Sequence, residues 1–186
     1  MWGLNYVFHE KFSLPQLDAH INMGSSTSSI GDYFTNMLDP TMNWDDVAEM
    51  VKFWDGQFCL KGIMTVEDAK HAVDIGCTGI VISNHGGRQL DGARSSFDQL
   101  AEIVDAVGDK IDVLFDSGIQ HGTHVLKALS LGAKAVGIGR MYLYPLAAGQ
   151  PGVERALGLM QEELIRDMRL MGCKSISELS RKKFKI

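Results

Sequence analysis

The sequence predicts an α/β fold in which helices cover a sheet of parallel strands, and two observations lead to this class. Apolar, strand-like runs alternate with segments of helical spacing along residues 44–171, which is typical of βαβ units. A pair of βα modules is also repeated within the chain. Repetition of one unit favours a closed (β/α)8-type barrel over a doubly wound sheet, which is kept as the alternative.

The elements follow in a regular order after an opening segment without periodicity. Residues 1–43 include a run rich in Gly, Ser and Thr, and we expect them to form an irregular, mobile segment. Residues 44–186 are predicted to hold the βα units, beginning with a helix over residues 44–56. The predicted strands are residues 57–62, 79–84, 111–118 and 135–140, and the other predicted helices are residues 65–76, 95–108, 123–133 and 151–171.

The internal repeat becomes visible when Gly62 is placed on Gly118. The segment KGIMTVEDAKHAVDIGCTGIVIS then aligns with SGIQHGTHVLKALSLGAKAVGIG, and Gly76 falls on Gly132. The repeating unit is therefore a pair of βα modules that is used twice. Such a repeat suits a closed (β/α)8 barrel.

Composition and charge exclude several classes of protein. The chain has 18 Lys and Arg against 23 Asp and Glu, a net charge of −5, and so lacks the basic surface of a nucleic-acid-binding protein. Its three cysteines fit no metal or disulfide template, and we expect buried free thiols in a reducing cytoplasm. No run of apolar residues is long enough for a transmembrane helix.

Polar side chains stand at the ends of the four predicted strands. Lys61, His85, Asp116 and Arg140 each lie at or just past the carboxyl end of a strand. In parallel α/β folds this edge faces the ligand, because loops and helix N-termini converge there. Their occurrence at four successive strands predicts a site at this edge.

His85 and Arg88 point to chemistry on an organic acid. An imidazole titrates near neutral pH and suits proton abstraction, whereas a guanidinium matches a carboxylate with two parallel hydrogen bonds. A base next to a carboxylate clamp indicates attack at the carbon α to an acid group. The alternatives are a histidine without a chemical role, and an ion pair of Arg88 with Asp91 or Asp116.

Two further features suggest an anion or a phosphate at the same edge. Lys61 could stabilise an anion, form a Schiff base, or pair with Asp116, and spacing alone does not choose among these. Gly118 in DSGIQHG and Gly139 in GIGR follow strands directly, so that backbone N–H groups there can turn toward a phosphate. Arg140 would supply the counter-charge.

The motifs LKGI, GIVISNHGGRQLDG, DSGI, KALSLGAKAVGIGR and SISEL resemble the C-terminal half of the FMN-dependent α-hydroxy-acid dehydrogenases and oxidases. The resemblance covers residues 44–180, and SNHGGRQLDG is its most specific part. WGLN and FWDG are most similar to the bacterial respiratory L-lactate dehydrogenases. The resemblance implies strands five to eight of a TIM (β/α)8 barrel and FMN as the cofactor.

The resemblance also implies a role for each residue at the strand ends. His85 would be the base, Arg88 the clamp for the substrate carboxylate, and Lys61 the charge beside N1 and O2 of the flavin. The other implied contacts to FMN are Asp116, Gly118, Gln120, Gly139 and Arg140.

Two departures from the family pattern affect what is expected. Gln120 stands where the family's phosphate loop usually carries an arginine, and His121 beside it could compensate in part. The family's enzymes are also about twice as long, since a complete barrel needs eight strands and at least about 200 residues. We therefore expect a fragment or half-barrel that needs an N-terminal half or a second copy of this chain.

The expected activity is oxidation of an L-2-hydroxy acid, with L-lactate as the expected substrate, to the 2-oxo acid. The alternative is a non-catalytic half-barrel scaffold or an anion-binding protein. A cytoplasmic location is expected, with peripheral contact to the inner membrane if the electron acceptor is a quinone.

Overall fold

The computed structural model describes Thr35 and residues 37–183. The chain divides between Asn43 and Trp44, and the sheet and its helices lie in the second unit. The predicted irregular segment 1–43 lies mostly outside the described residues, so its character stays a prediction.

Four parallel strands form one sheet in the order in which they occur along the chain. The strands are β1 (Cys59–Ile63), β2 (Gly79–Ile82), β3 (Asp112–Phe115) and β4 (Ala135–Val136). A doubly wound sheet reverses the direction of strand addition at a switch point, whereas this sheet grows in one direction. The structure thus agrees with a section of a barrel and not with the doubly wound alternative.

Helices connect the strands and pack on the sheet. The longer helices are α1 (Trp44–Trp54), α2 (Val66–Asp74), α3 (Ser96–Val107), α4 (Gly122–Ser130), α5 (Leu143–Leu146) and α6 (Gly149–Leu170). Short 3-10 turns occupy His85–Gly87, Arg140–Tyr142, Ile176–Glu178 and Arg181–Lys183. Thr65 caps α2 and Ser95 caps α3 through their side-chain oxygens, which satisfies N–H groups that a helix start leaves unpaired. None of the described helices combines the length and the apolar character needed to span a bilayer.

The core lies between the sheet and helices α2, α3 and α4. Ile80, Ile82 and Phe115 of the strands are almost completely buried and belong to one apolar cluster with Leu100 and Ile103 of α3. Burial of these side chains removes apolar surface from water and so drives the helices onto the sheet. The interior strands β2 and β3 are therefore held most firmly, and they fix the positions of the residues that follow them in the sequence.

Two expectations about the strands need correction. The fourth strand was predicted to reach Arg140 but is paired only over Ala135–Val136, and the chain leaves the ladder at a glycine-containing segment before the 3-10 turn that starts at Arg140. Gly137 still donates its N–H to Phe115 O at 2.8 Å. Cys59 was expected to be buried but is exposed, because β1 is an edge strand of this sheet.

Helix α6 supports the loop that follows β3. Glu163 Oε2 accepts a hydrogen bond from Gly122 N at 2.8 Å, and Thr123 Oγ1 donates to Asp167 Oδ2. The start of α4 approaches α6 so closely that a Cβ at Gly122 would overlap the backbone of Met160. This contact fixes the direction in which α4 leaves the sheet.

A pair of alanine substitutions tests the contact between α4 and α6. Gly122→Ala should lower the free energy of unfolding by about 2–3 kcal/mol, because the backbone of α6 must move to admit the methyl group. Gly158→Ala is the matched control: nothing lies within 4 Å of its Cβ position, and it should stabilise α6 by about 0.5–1 kcal/mol. Urea unfolding followed by circular dichroism measures both. Equal effects of the two substitutions would contradict the described packing.

Candidate active site

A cleft of about 1140 Å³ opens at the carboxyl edge of the sheet. All eight site residues predicted from the sequence line it. They are Lys61, His85, Arg88, Asp116, Gly118, Gln120, Gly139 and Arg140.

A hydrogen-bonded network joins Lys61 of β1 to the residues that follow β2 and β3 in the cleft. Lys61 Nζ lies 2.7 Å from Asp116 Oδ2 and donates to Ser83 Oγ, also at 2.7 Å. Ser83 follows β2 and is 1% exposed, so its hydroxyl lies between the ends of β1 and β3. Of the alternatives for Lys61, the structure shows the ion pair with Asp116.

The pKa of Asp116 is lowered despite partial burial. Burial pushes the pKa of this carboxyl up, but hydrogen bonds from Lys61, Ser83 and Ser117 and the charge of Lys61 lower it further than burial raises it. Asp116 is thus held as a carboxylate, which keeps Lys61 in place beside it.

His85 sits on a tight turn directly after β2. Its φ is +56°, which is uncommon for a residue with a side chain and typical of positions that the surrounding structure holds in place. Its N–H donates to Ser83 Oγ at 3.2 Å. A Cβ at Gly62 would lie 3.2 Å from Cε1 of the imidazole, so the ring packs closely over β1. The turn thus directs the imidazole across the end of the sheet.

Arg88 lines the cleft without an ion pair. Asp91 Oδ1, one expected partner, accepts instead from Gly92 N, and Asp116 pairs with Lys61. Among the residues that the structure describes, the guanidinium of Arg88 forms no salt bridge. Its fork is therefore available for a carboxylate.

The glycine turns after β3 and β4 leave backbone open to the cleft. No heavy atom lies within 4 Å of a Cβ position at Gly118 or Gly139. Within the described chain, neither N–H of these two glycines has a hydrogen-bond acceptor. Gly118 has a φ of +75°, and Ser117 before it has +87°. Two unpaired N–H groups in a cleft that Arg140 also lines have the chemistry that suits an anion.

Gln120 and His121 complete the loop after β3. Gln120 N donates to His124 Nδ1 at 3.3 Å. His121 lines the cleft, but its Nδ1 also lies 3.4 Å from Glu163 Oε1. The expectation that His121 compensates for the missing arginine stays a prediction, because a carboxylate already neighbours its ring.

Three residues of this edge were not singled out from the sequence. Ser83 binds Lys61, Ser117 accepts from Gly86 N at 3.1 Å, and the carbonyl of Gly86 accepts from Arg140. A buried serine after a strand, as in ISN, and a serine between aspartate and glycine, as in DSG, are weak signals. Their importance depends on distances between strand ends, which the sequence does not contain.

Known proteins resemble this chain in sequence and in fold. A sequence model of the family described as FMN-dependent dehydrogenase matches residues 4–186. The chain belongs to the FMN-dependent dehydrogenase family. Crystal structures of mandelate oxidase are among its structural relatives: one is 45% identical with a TM-score of 0.76 over 84% of this chain. A flavocytochrome b2 variant with sulfite bound is 42% identical, with a TM-score of 0.73 over 78% of this chain.

The chain spans about half the length of these relatives. The matches cover 46% of the mandelate oxidase chain and 39% of the flavocytochrome b2 chain. The four βα units of this FMN-dependent dehydrogenase family member thus form a partial (β/α)8 barrel, as the sequence predicted.

The donor set of the cleft fits FMN, the cofactor that gives the family its name. A phosphate monoester needs N–H donors and a cation, and the unpaired N–H groups of Gly118 and Gly139 next to Arg140 supply both. Lys61 stands at the sheet end of the same cleft, where a cation can neighbour an electron-rich ring edge. The residues present therefore suit a flavin with a terminal phosphate.

The lowered pKa of Asp116 predicts a pH-dependent contribution to stability. A carboxyl with a depressed folded-state pKa stabilises the fold above its ordinary value near 3.8, and this contribution is lost as pH falls through the folded-state value. Asp116→Asn should lower the unfolding free energy by about 1–2 kcal/mol at neutral pH, and the difference from the parent chain should shrink below about pH 4.

Asp109→Asn is the control for this measurement, since Asp109 is exposed and forms no salt bridge in the described chain. Thermal unfolding from pH 2 to pH 7 compares the three proteins. A difference between Asp116→Asn and the parent that does not vary with pH would contradict the ion pair.

Proposed function

We propose that this chain contributes the base, the substrate clamp and the phosphate subsite of an FMN-dependent enzyme that oxidises an L-2-hydroxy acid to the 2-oxo acid. The observation that supports it best is that His85, Arg88 and Lys61 line one cleft with the open glycine turns. L-Lactate is the proposed substrate, supported by the similarity of WGLN and FWDG to respiratory L-lactate dehydrogenases. Mandelate, which names one group of structural relatives, is the competing substrate to test.

Arg88 and His85 have separate proposed roles: Arg88 binds the substrate and His85 transfers a proton. Arg88 binds the substrate carboxylate through its free fork and so fixes the orientation of the α-carbon. His85 accepts one of the two protons that the hydroxy acid loses, from the α-carbon or from the hydroxyl group. FMN, when bound, would take up the two electrons of the hydroxy acid and pass them to a separate acceptor.

Lys61 provides a positive charge near the reacting groups. Asp116 and Ser83 hold its ammonium group at 2.7 Å each, so the charge is fixed before any ligand arrives. A preorganised cation stabilises negative charge that develops beside it, because no reorganisation is needed during the reaction. Asp116 is thus a positioning residue that acts through Lys61.

We propose that the four βα units which the relatives contain and this chain lacks complete the barrel, whether they belong to the same polypeptide or to another. The outer edges of β1 and β4 have no partner strand among the described residues, and unpaired edges favour strand addition. Leu143, Tyr144 and Leu146 beside the cleft are 48%, 91% and 50% exposed. A second copy of this chain is the alternative occupant.

We propose a quinone as electron acceptor and a cytoplasmic location with peripheral contact to the inner membrane. The support is the sequence similarity to respiratory enzymes alone. Turnover measured with a soluble quinone analogue and with dioxygen distinguishes the two kinds of acceptor.

Reconstitution tests the activity and the partner together. The chain is co-expressed with the N-terminal half of mandelate oxidase and loaded with FMN, and oxidation of L-lactate and of (S)-mandelate is followed at the flavin absorbance. We expect bleaching by the substrate only in the complex. Native mass spectrometry separates a heterodimer from a dimer of this chain, and an active dimer of this chain would contradict the proposed partner.

Substitutions assign the two roles within the active complex. His85→Gln should lower kcat by about 10²–10⁴-fold, the usual contribution of a general base, whereas Arg88→Lys should raise KM because the bidentate contact is lost. His71→Gln is the control, since His71 packs against Trp44 and does not line the cleft. Unchanged kcat in His85→Gln would contradict the proposed base.

A further inference from the structure

Arg140 touches the turn that carries His85. Its Nη2 donates to the carbonyl of Gly86 at 3.0 Å, although the two residues are far apart in sequence. Gly86 lies between the proposed base and the proposed clamp, Arg88. The end of β4 is thus joined directly to the turn after β2.

The peptide groups of Gly86 are held from two sides. Its N–H points to Asn84 Oδ1 at 3.0 Å and to Ser117 Oγ at 3.1 Å, while its carbonyl accepts from Arg140. Ser117 in turn donates to Asp116 Oδ1 at 2.8 Å. The turn is therefore fixed by the residues that follow β3 and β4, as well as by its own strand.

A glycine is needed at this contact. A Cβ at Gly86 would collide with Nη2 of Arg140, so the guanidinium lies directly against the backbone of the turn. Gly87 also has a positive φ, +72°, but nothing lies within 4 Å of its Cβ position. The two neighbouring glycines thus share backbone geometry and differ in their contact with Arg140.

Arg140 also lines the anion end of the cleft with Gly139. A guanidinium has five N–H donors, and the contact with Gly86 uses one of them. The others remain for a phosphate in the same cleft. One side chain can therefore hold the phosphate and the turn at the same time.

We propose that Arg140 couples the phosphate subsite to the turn of His85 and Arg88, so that a bound phosphate group orders the base and the clamp. This inference rests on the proposed function. A phosphate that engages the free donors immobilises the guanidinium, and the immobilised guanidinium holds the Gly86 carbonyl. Because coupling between two sites is reciprocal, ordering of the turn by a substrate carboxylate also tightens phosphate binding.

Amide hydrogen exchange on the full 186-residue chain tests the coupling with inorganic phosphate as the probe. Chemical shifts of Gly118 and Gly139 report phosphate binding, and the exchange rate of the amide at position 86 reports order in the turn. In the parent chain, saturating phosphate should slow that exchange about fivefold or more, the lower range of typical coupling between sites.

Three variants separate the coupling from general effects. Arg140→Lys keeps a charge at the phosphate but lacks the planar fork. Phosphate should therefore still change the chemical shift of Gly139 without slowing amide exchange at position 86. In Gly86→Ala, phosphate should no longer slow amide exchange at position 86, because the methyl group displaces Arg140. Gly87→Ala, which carries the same backbone strain, should retain the slowing.

The outcomes distinguish this inference from the proposed function. Shifts at Gly118 and Gly139 without slower exchange at position 86 in the parent chain would overturn the coupling alone. Slowing that persists in Arg140→Lys, or that is lost equally in Gly86→Ala and Gly87→Ala, would also overturn it. Absence of any shift at Gly118 and Gly139 would contradict the phosphate subsite, and the coupling with it.

Discussion

The ion pair between Lys61 and Asp116 is the interaction on which the rest of this site depends. It joins β1 to the end of β3, which is not its neighbour in the sheet, across the buried hydroxyl of Ser83 at the end of β2. Burial disfavours the charged form of Asp116, and the ammonium of Lys61 offsets this cost because the strands hold the two groups 2.7 Å apart. The sheet thus holds the two charges in fixed positions.

The carboxyl edge of the sheet brings the proposed catalytic groups next to one another. Ser83 fixes Lys61 with its hydroxyl and accepts the N–H of His85, so the cation and the proposed base share one support. Arg140 reaches back from β4 to the turn beside His85. A site built from successive strand ends in this way depends on every strand holding its register, and helix α6 supports the loop after β3 from outside.

The sequence predicts the sheet and the location of the site because periodicity depends on local residues. Continuous apolar runs and the internal repeat give the four parallel strands and the barrel-like order, and parallel strands necessarily present Lys61, His85, Asp116 and Arg140 at one edge. Contacts between strand ends depend on distances that no spacing encodes. For this reason the choice of an ion pair for Lys61, the clamped peptide of Gly86 and the early end of β4 became visible only in the structure.

The edge of the sheet also explains where prediction was wrong. Cys59 is exposed because β1 is an edge strand, and an apolar sequence around a cysteine does not reveal which strand lies at an edge. The chain covers about half of its relatives, so an edge in this fold corresponds to an interior position in a full barrel.

The central claim, that this edge carries a phosphate subsite for a flavin, is tested most directly by comparing FMN with riboflavin. Both are titrated into the 186-residue chain and followed by flavin fluorescence, since the two ligands differ only in the phosphate. We expect FMN to bind at least about tenfold more tightly, because a charge-assisted hydrogen bond is worth roughly 1.5–3 kcal/mol. Equal affinity for the two flavins, or binding of neither, would contradict the claim.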